Sequence, residues 1–485
     1  MKKFTVWALL ATLVVAGSAF AGPGRIAANA TFPTGAPATT NNDDSCDIGV
    51  APAATLLLPY FEVSESRTGE TTLFTLTNTS QYPAIAHVVL WTDFSYPVID
   101  FNIYLTGFDV QSINLNDVIW QGVIAPESGA RDEDGTGTDI STGTGTGDFD
   151  EVEPGSNINF AACAGLPGQL PPFYVTRMQT AFTEGEVAGL PGNAQFTGCT
   201  TVGNEHENAV GYATVDVVNI CSTGLPTEGN RYFNTEIRFD NILIGDYQQV
   251  NSAQNFAQGN PMVHIRAIPE GTGNAGELLD TNFDRTFYSR YQTGADRTLD
   301  RRQPLPSAFA ARWINGGTGD FQTSYKIWRE GVYSGVTCNQ FPLNGALLVS
   351  ESVAFDEDEN GEGVAGGEII VSPPIGAEDI TLPETSLTEV GDDNVFPQAT
   401  FDDVTAGWTY LNLDQGFNET STGAAANFPS QNWVVVSMRA EGRYSVDFDA
   451  AWLGNGCSPV AEITEYSDGA AGVFPGPADD ETPDF

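Results

Sequence analysis

The residue types best suited to recognition crowd into one segment. Between Arg266 and Arg329 stand nine basic residues against seven acidic ones, with Trp313, Tyr325 and Trp328 among them. Guanidinium groups pair with anions through two parallel hydrogen bonds and stack on aromatic rings. Arg297, Arg301 and Arg302, close to Pro304 and Pro306, are therefore candidates for an exposed patch. Such a patch would take an anionic partner or a polysaccharide, with Trp313 and Trp328 as stacking platforms. In the competing reading, the same arginines neutralise the protein's own carboxylates and cement the fold.

A second candidate is calcium. Asp356, Asp358, Asn360 and Glu362 place oxygen ligands at alternate positions, with Gly361 sixth in the run, as a calcium loop requires. The twelfth position is Gly367, however, and Glu368 falls one residue late. An acidic chain generates such runs by chance, so calcium is a possible stabiliser here, and no cofactor is certain. Catalytic patterns are sparse. His87 and His264 sit inside strand-like runs and His206 in a polar loop, and no metalloprotease, nucleophile-elbow or phosphate-loop motif occurs. The sequence offers no catalytic residue and leans away from an enzyme.

Charge and cysteines narrow the class. Nineteen Lys and Arg face 63 Asp and Glu, for a net charge of −44. Nucleic-acid phosphates would meet a repulsive field, which argues against that partner. Lys2 and Lys3, an apolar run to Ala16 and Ala19-Phe20-Ala21 have the order of a cleaved export signal, with cleavage after Ala21. Cys46, Cys163, Cys199, Cys221, Cys338 and Cys457 are even in number and follow that segment. In an oxidising compartment they read as up to three disulfides, with Cys163–Cys199 the sequence-local expectation and Cys221, Cys338 and Cys457 left to pair with one another or with Cys46. No run later in the chain is long and apolar enough for a membrane-spanning helix.

Those residues need a scaffold, and the scaffold reads as strands. Residues 22–45 suit a flexible N-terminus, and 46–126 hold the first strands of a sandwich. Ile99, Phe101, Ile103 and Leu105 alternate with Asp100 and Asn102, and Tyr444, Val446, Phe448 and Ala450 alternate with Ser445, Asp447 and Asp449. That period of two is the signature of a half-buried strand. Residues 127–157 form an acidic Gly/Thr-rich loop or linker, the expected inner boundary. A main β-rich region spans 158–465, with one short helix at 173–182, and residues 466–485 are an acidic tail. The fold expected is all-β, an antiparallel sandwich of immunoglobulin-like architecture in one or two domains.

Leu56-Leu-Leu-Pro-Tyr-Phe-Glu-Val63, Leu90-Trp-Thr-Asp93, Arg301-Arg-Gln-Pro-Leu-Pro306 and Asn432-Trp-Val-Val-Val-Ser-Met438 with Trp452-Leu-Gly-Asn-Gly-Cys457 resemble a group of uncharacterised exported bacterial proteins. The resemblance implies export and a β-rich fold. It brings no activity and no site residues. The expected role is thus an exported, extracellular, cell-surface or periplasmic protein that binds or assembles without catalysis. The alternative is a secreted carbohydrate-binding or glycoside-degrading protein.

Overall fold

A computed structural model describes residues 48–124, 170–189, 198–219, 224–267, 286–292, 300–317, 319–331, 347–349, 351–357, 361–363, 381–391, 405–414, 417–419, 426–428, 430–440 and 444–453. The chain opens with β1 (Thr55–Val63), β2 (Glu70–Asn78), β3 (Ala84–Thr92), β4 (Pro97–Leu105), β5 (Val110–Asn114) and helix α1 (Leu115–Ile119). Then come α2 (Pro172–Thr183), β6 (Ala209–Val218), α3 (Asn230–Thr235), β7 (Leu243–Asn251), β8 (Phe256–Pro261) and β9 (Val263–Ile265). Next are β10 (Ala308–Ile314), β11 (Gln322–Arg329), β12 (Leu347–Leu348), β13 (Glu351–Asp356), β14 (Gly361–Gly363), β15 (Thr381–Leu382) and β16 (Thr385–Glu389). The last are β17 (Ala406–Asn412), β18 (Phe417–Glu419), β19 (Ala426–Phe428), β20 (Asn432–Ala440), β21 (Tyr444–Asp449) and β22 (Ala451–Leu453).

The fold is all-β and sandwich-like. Its four larger sheets, all antiparallel, run β4-β3-β6-β1-β9, β5-β2-β7-β8, β14-β13-β17-β10-β22 and β16-β11-β20-β21. The first is a central layer, which explains its composition. β1, β3 and β6 read as near-continuous apolar runs because both faces are covered. Leu56, Leu58, Val88 and Val215 pack toward the sheet of β2 and β7, where Phe74, Leu76 and Tyr247 meet them. Leu57, Val89, Trp91 and Tyr212 join the other core with Phe309, Trp313, Tyr325, Ile327 and Val434. β2 and β7, each with only one face on the core, alternate instead. Gly245 fills a position on β7 where a Cβ would come 2.6 Å from Met262 Sδ and 2.8 Å from Leu56 Cδ1. Pro59, which has no N–H for the ladder, coincides with a register shift of β1 against β6 between Leu58 and Phe61.

The central sheet draws strands from both sides of the tract at 127–157. β1, β3 and β4 precede residues 127–157, β6 and β9 follow them, and all five share one sheet. α2 matches the helix expected at 173–182. β21 departs from its expected polarity at its start, where Tyr444 and Val446 are exposed and Asp447 is buried, while Phe448 and Ala450 pack on the core as expected. Residues 1–47, 127–157 and 466–485, with the expected export signal, fall outside the described residues.

Candidate binding groove

The patch expected around Arg302 is not a surface. Arg302 has 0% exposure, and its Nη1 donates to Asp300 Oδ1 at 3.0 Å and its Nη2 to the Arg238 carbonyl at 3.2 Å. Its Nε donates to Thr55 Oγ1, and Asp216 Oδ1 lies 3.5 Å from Nη2. Asp216 Oδ2 accepts from Tyr232 Oη at 2.7 Å and Tyr288 Oη at 2.9 Å. Burial holds both phenols well above their ordinary value, with Asp216 adding to the rise. β1, β6 and the segment before β10 thus close on a fully enclosed ion cluster, because an arginine buried in an acidic protein finds carboxylates on a neighbouring strand and in its own segment.

The other expected contact residues divide similarly. Trp313 and Trp328 are 0% and 1% exposed and belong to the core, so neither serves as a platform for a ligand. Arg301 is half-buried, its guanidinium 5.5 Å from the Phe239 ring, and Arg297 lies outside the described residues. Arg290 is buried on Trp328 and Tyr291, with Nη1 donating to Glu384 Oε2 at 2.9 Å and Nη2 to Tyr212 Oη at 3.2 Å. Burial raises Glu384 to about 7 despite Arg290 beside it.

Asp356 is buried at the end of β13, and the chain turns straight back: β14, with Glu362, pairs with Val353–Phe355. Asp358, Asn360 and Glu368 lie outside the described residues, among which no cluster of metal-ligating side chains occurs. Cys199 is buried beside Val187 at an isolated bridge. Cys46, Cys163, Cys221, Cys338 and Cys457 are not described. All three histidines have structural partners. His87 Nδ1 meets Asn102 Oδ1 at 3.0 Å, and His206 Nε2 meets Asp93 Oδ2 at 3.1 Å. His264 Nε2 accepts the Gly245 N–H at 3.1 Å, and burial lowers this imidazole to about 4.

An open site does exist, at a place sequence reasoning did not single out. The β7–β8 turn, the β10–β11 turn, the end of β16, the end of β20 and the start of β21 surround a groove of ≈ 630 Å³. Asn315 fastens its walls: Nδ2 donates to the Val390 carbonyl at 2.8 Å, and Oδ1 accepts the Thr323 N–H at 2.8 Å. Two non-glycine residues in the left-handed region, Asn255 (φ 55°) and Asp320 (φ 51°), line it. Such backbone is costly for L-residues and concentrates where a turn must present particular groups. On the rim, Tyr444 is 65% exposed and lies nearly parallel to Phe321, ring centres 6.0 Å apart at 16°. Gln254, Asn255 and Gln322 supply amides, and Arg439 Nη2 meets Glu389 Oε1 at 3.2 Å, both half-exposed. Chemically the groove offers an aromatic face among amide donors and acceptors, with the Asp320 carboxylate and one self-compensated ion pair.

The structure therefore defines a class: an all-β protein with a closed, ion-paired interior and a polar–aromatic groove where several of its turns and strand ends meet. No protein-family model, curated protein or solved structure matches the chain. Among the described residues, no helix is long and apolar enough to cross a membrane. The sequence signal that pointed to the groove was slight. Asn315-Gly-Gly-Thr-Gly-Asp320 and Gln254-Asn255 have turn composition, but nothing in either places them side by side.

Proposed function

We propose that this chain is an exported, non-enzymatic protein that binds a partner outside the cell membrane, and that the groove around Tyr444 is its contact site. One observation carries the reading: a large aromatic residue, 65% exposed on an otherwise polar rim, stacks nearly parallel to a second ring. Exposed aromatics among amides are an arrangement proteins use for ligands with one apolar face and many hydroxyls. That favours a carbohydrate over an anion, since Arg439 already faces Glu389. The non-enzymatic part is supported by the histidines, each engaged with a structural partner away from the groove. Export is supported by the Lys2–Ala21 signal pattern, and disulfides by six cysteines with no free thiol among the described residues.

The test is binding of the full chain to a panel of immobilised neutral and acidic glycans and to itself, with and without millimolar calcium. Wild type is expected to retain neutral glycans, and Tyr444→Ala with Gln322→Ala to lose them with folding unchanged. Retention of every ligand by the double variant would overturn the groove as the contact site. Self-association that depends on calcium, with no glycan bound, would replace this reading by surface assembly.

A further inference from the structure

Lys326 is out of character for this chain. The protein has three lysines, and the other two are Lys2 and Lys3. Where the interior needs a buried cation it uses arginine, at Arg290, Arg302 and Arg329. Lysine differs from arginine in one chemical respect that matters here. Its amine can lose its proton when buried and become a nucleophile, whereas a guanidinium stays charged.

The surroundings suit that difference. Lys326 Nζ lies 2.6 Å from Asp447 Oδ2, with side-chain exposures of 1% and 0%. Tyr247 places its ring 5.9 Å from Nζ. Asp447 Oδ1 is buried without a hydrogen-bond partner among the described residues. Glu62 on β1 and Glu70 on β2 act on the amine electrostatically. In the register of the sheet, Lys326 faces Val435 and Asp447 faces Ser437, so the pair reaches across β20 to join β11 to β21. Two reactive groups held in contact and shielded from water react as if at enormous concentration; effective molarities reach about 10⁵ M and above.

We propose that Lys326 and Asp447 condense into an intramolecular isopeptide bond, a covalent staple between β11 and β21. The neutral amine attacks Cγ of the protonated Asp447 carboxyl, and the Nζ–Cγ bond forms. The C–Oδ1 bond then breaks, and Oδ1 departs as water, taking its own proton and one from the amine. Lys326 keeps one N–H on the new amide, so atoms and charge balance with no oxidant or cofactor. Burial works in the required direction on both partners, lowering the lysine and raising the aspartate. The product also removes two charges from an interior that solvates them poorly. For an exported protein the gain is mechanical and proteolytic resistance. The link would close a loop between residues 121 positions apart.

Lys326 is the only lysine beyond Lys2 and Lys3, which makes the test direct. The full chain is denatured, reduced and treated with a protease that cuts after lysine, and its intact mass is measured. Formation of the bond is expected to leave the chain uncut at Lys326, one water lighter than its sequence, with a joined peptide pair in the digest. Asp447→Ala is expected to restore cleavage and the full mass. Asp447→Asn should still close, releasing ammonia and arriving at the wild-type product. A wild-type chain of full mass that is cut cleanly after Lys326 would overturn the proposal, and this result requires no variant to fold.

Discussion

The ion cluster around Arg302 and the groove around Tyr444 are built from the same materials, and they end up as opposites. Both combine arginine, carboxylates and aromatic rings. At Arg302 one carboxylate, Asp216, arrives from β6 and the other, Asp300, from two residues earlier in its own segment, so each donor is engaged and the cluster has no exposed surface. At the groove the elements meet through turns and strand ends, whose geometry holds Phe321, Tyr444 and the amides apart. Residue type therefore says little about function in so acidic a chain. What decides is whether neighbouring strands deliver the complementary group, and that is a property of topology.

The largest effect that would break the comparison is at Arg302. Arg302→Ala strands Asp216 and Asp300 in the interior without their cation, which typically costs about 3–5 kcal/mol. Chemical denaturation should show a loss of that size. A loss below about 1 kcal/mol would mean the cluster is solvated and the contrast with the groove false. Trp328→Ala comes next. It removes a 1% exposed indole packed on Tyr212 and Phe287, and large aromatic truncations in cores cost about 3–5 kcal/mol, less where the site collapses. Near-wild-type stability with lost ligand binding would instead restore Trp328 as a contact residue.

A smaller effect concerns pH. Burial raises Glu70 and Glu384 from 4.5 to about 7, and Asp449 from 3.8 to about 6. Between those unfolded and folded values the native state binds more protons than the unfolded chain, so stability falls as pH rises. The contribution is complete below about pH 4 and is lost by about pH 7. The melting temperature should therefore be higher at pH 5 than at pH 7.5, and Glu70→Gln should flatten part of that slope. A melting temperature that climbs from pH 5 to 7.5 would show these carboxylates to be ordinarily solvated.

How much of this was legible in the sequence varies from element to element, for physical reasons. β1, β3 and β20 stood out because a strand covered on both faces must be apolar throughout. α2 was visible between Phe173 and Phe182. β10 and β11 were obscured by their own composition, since Arg312, Lys326 and Arg329 among aromatics read as a surface. Only the register shows Lys326 and Arg329 turned inward, where Asp447 and the carbonyls of Leu347 and Leu413 receive them. In β21 the alternation holds at Phe448 and Ala450 but not at Tyr444 and Val446, which look like core until the groove and Lys326 are in place. The groove joins residues from distant turns and strand ends, so no local pattern could have announced it.

The finest prediction separates Tyr444 from every aromatic residue of the core. At 65% exposure its ring contributes little burial, so Tyr444→Ala should change stability by no more than about 0.5 kcal/mol. Ligand affinity should fall by about 1–2 kcal/mol, as loss of one stacking face implies. Tyr444→Phe keeps that face and should keep most of the affinity. If the alanine variant instead loses several kcal/mol of stability, the Phe321–Tyr444 stack is part of the packing between β10–β11 and β20–β21. The groove would then be a seam of the fold, no different in kind from the interior around Arg302.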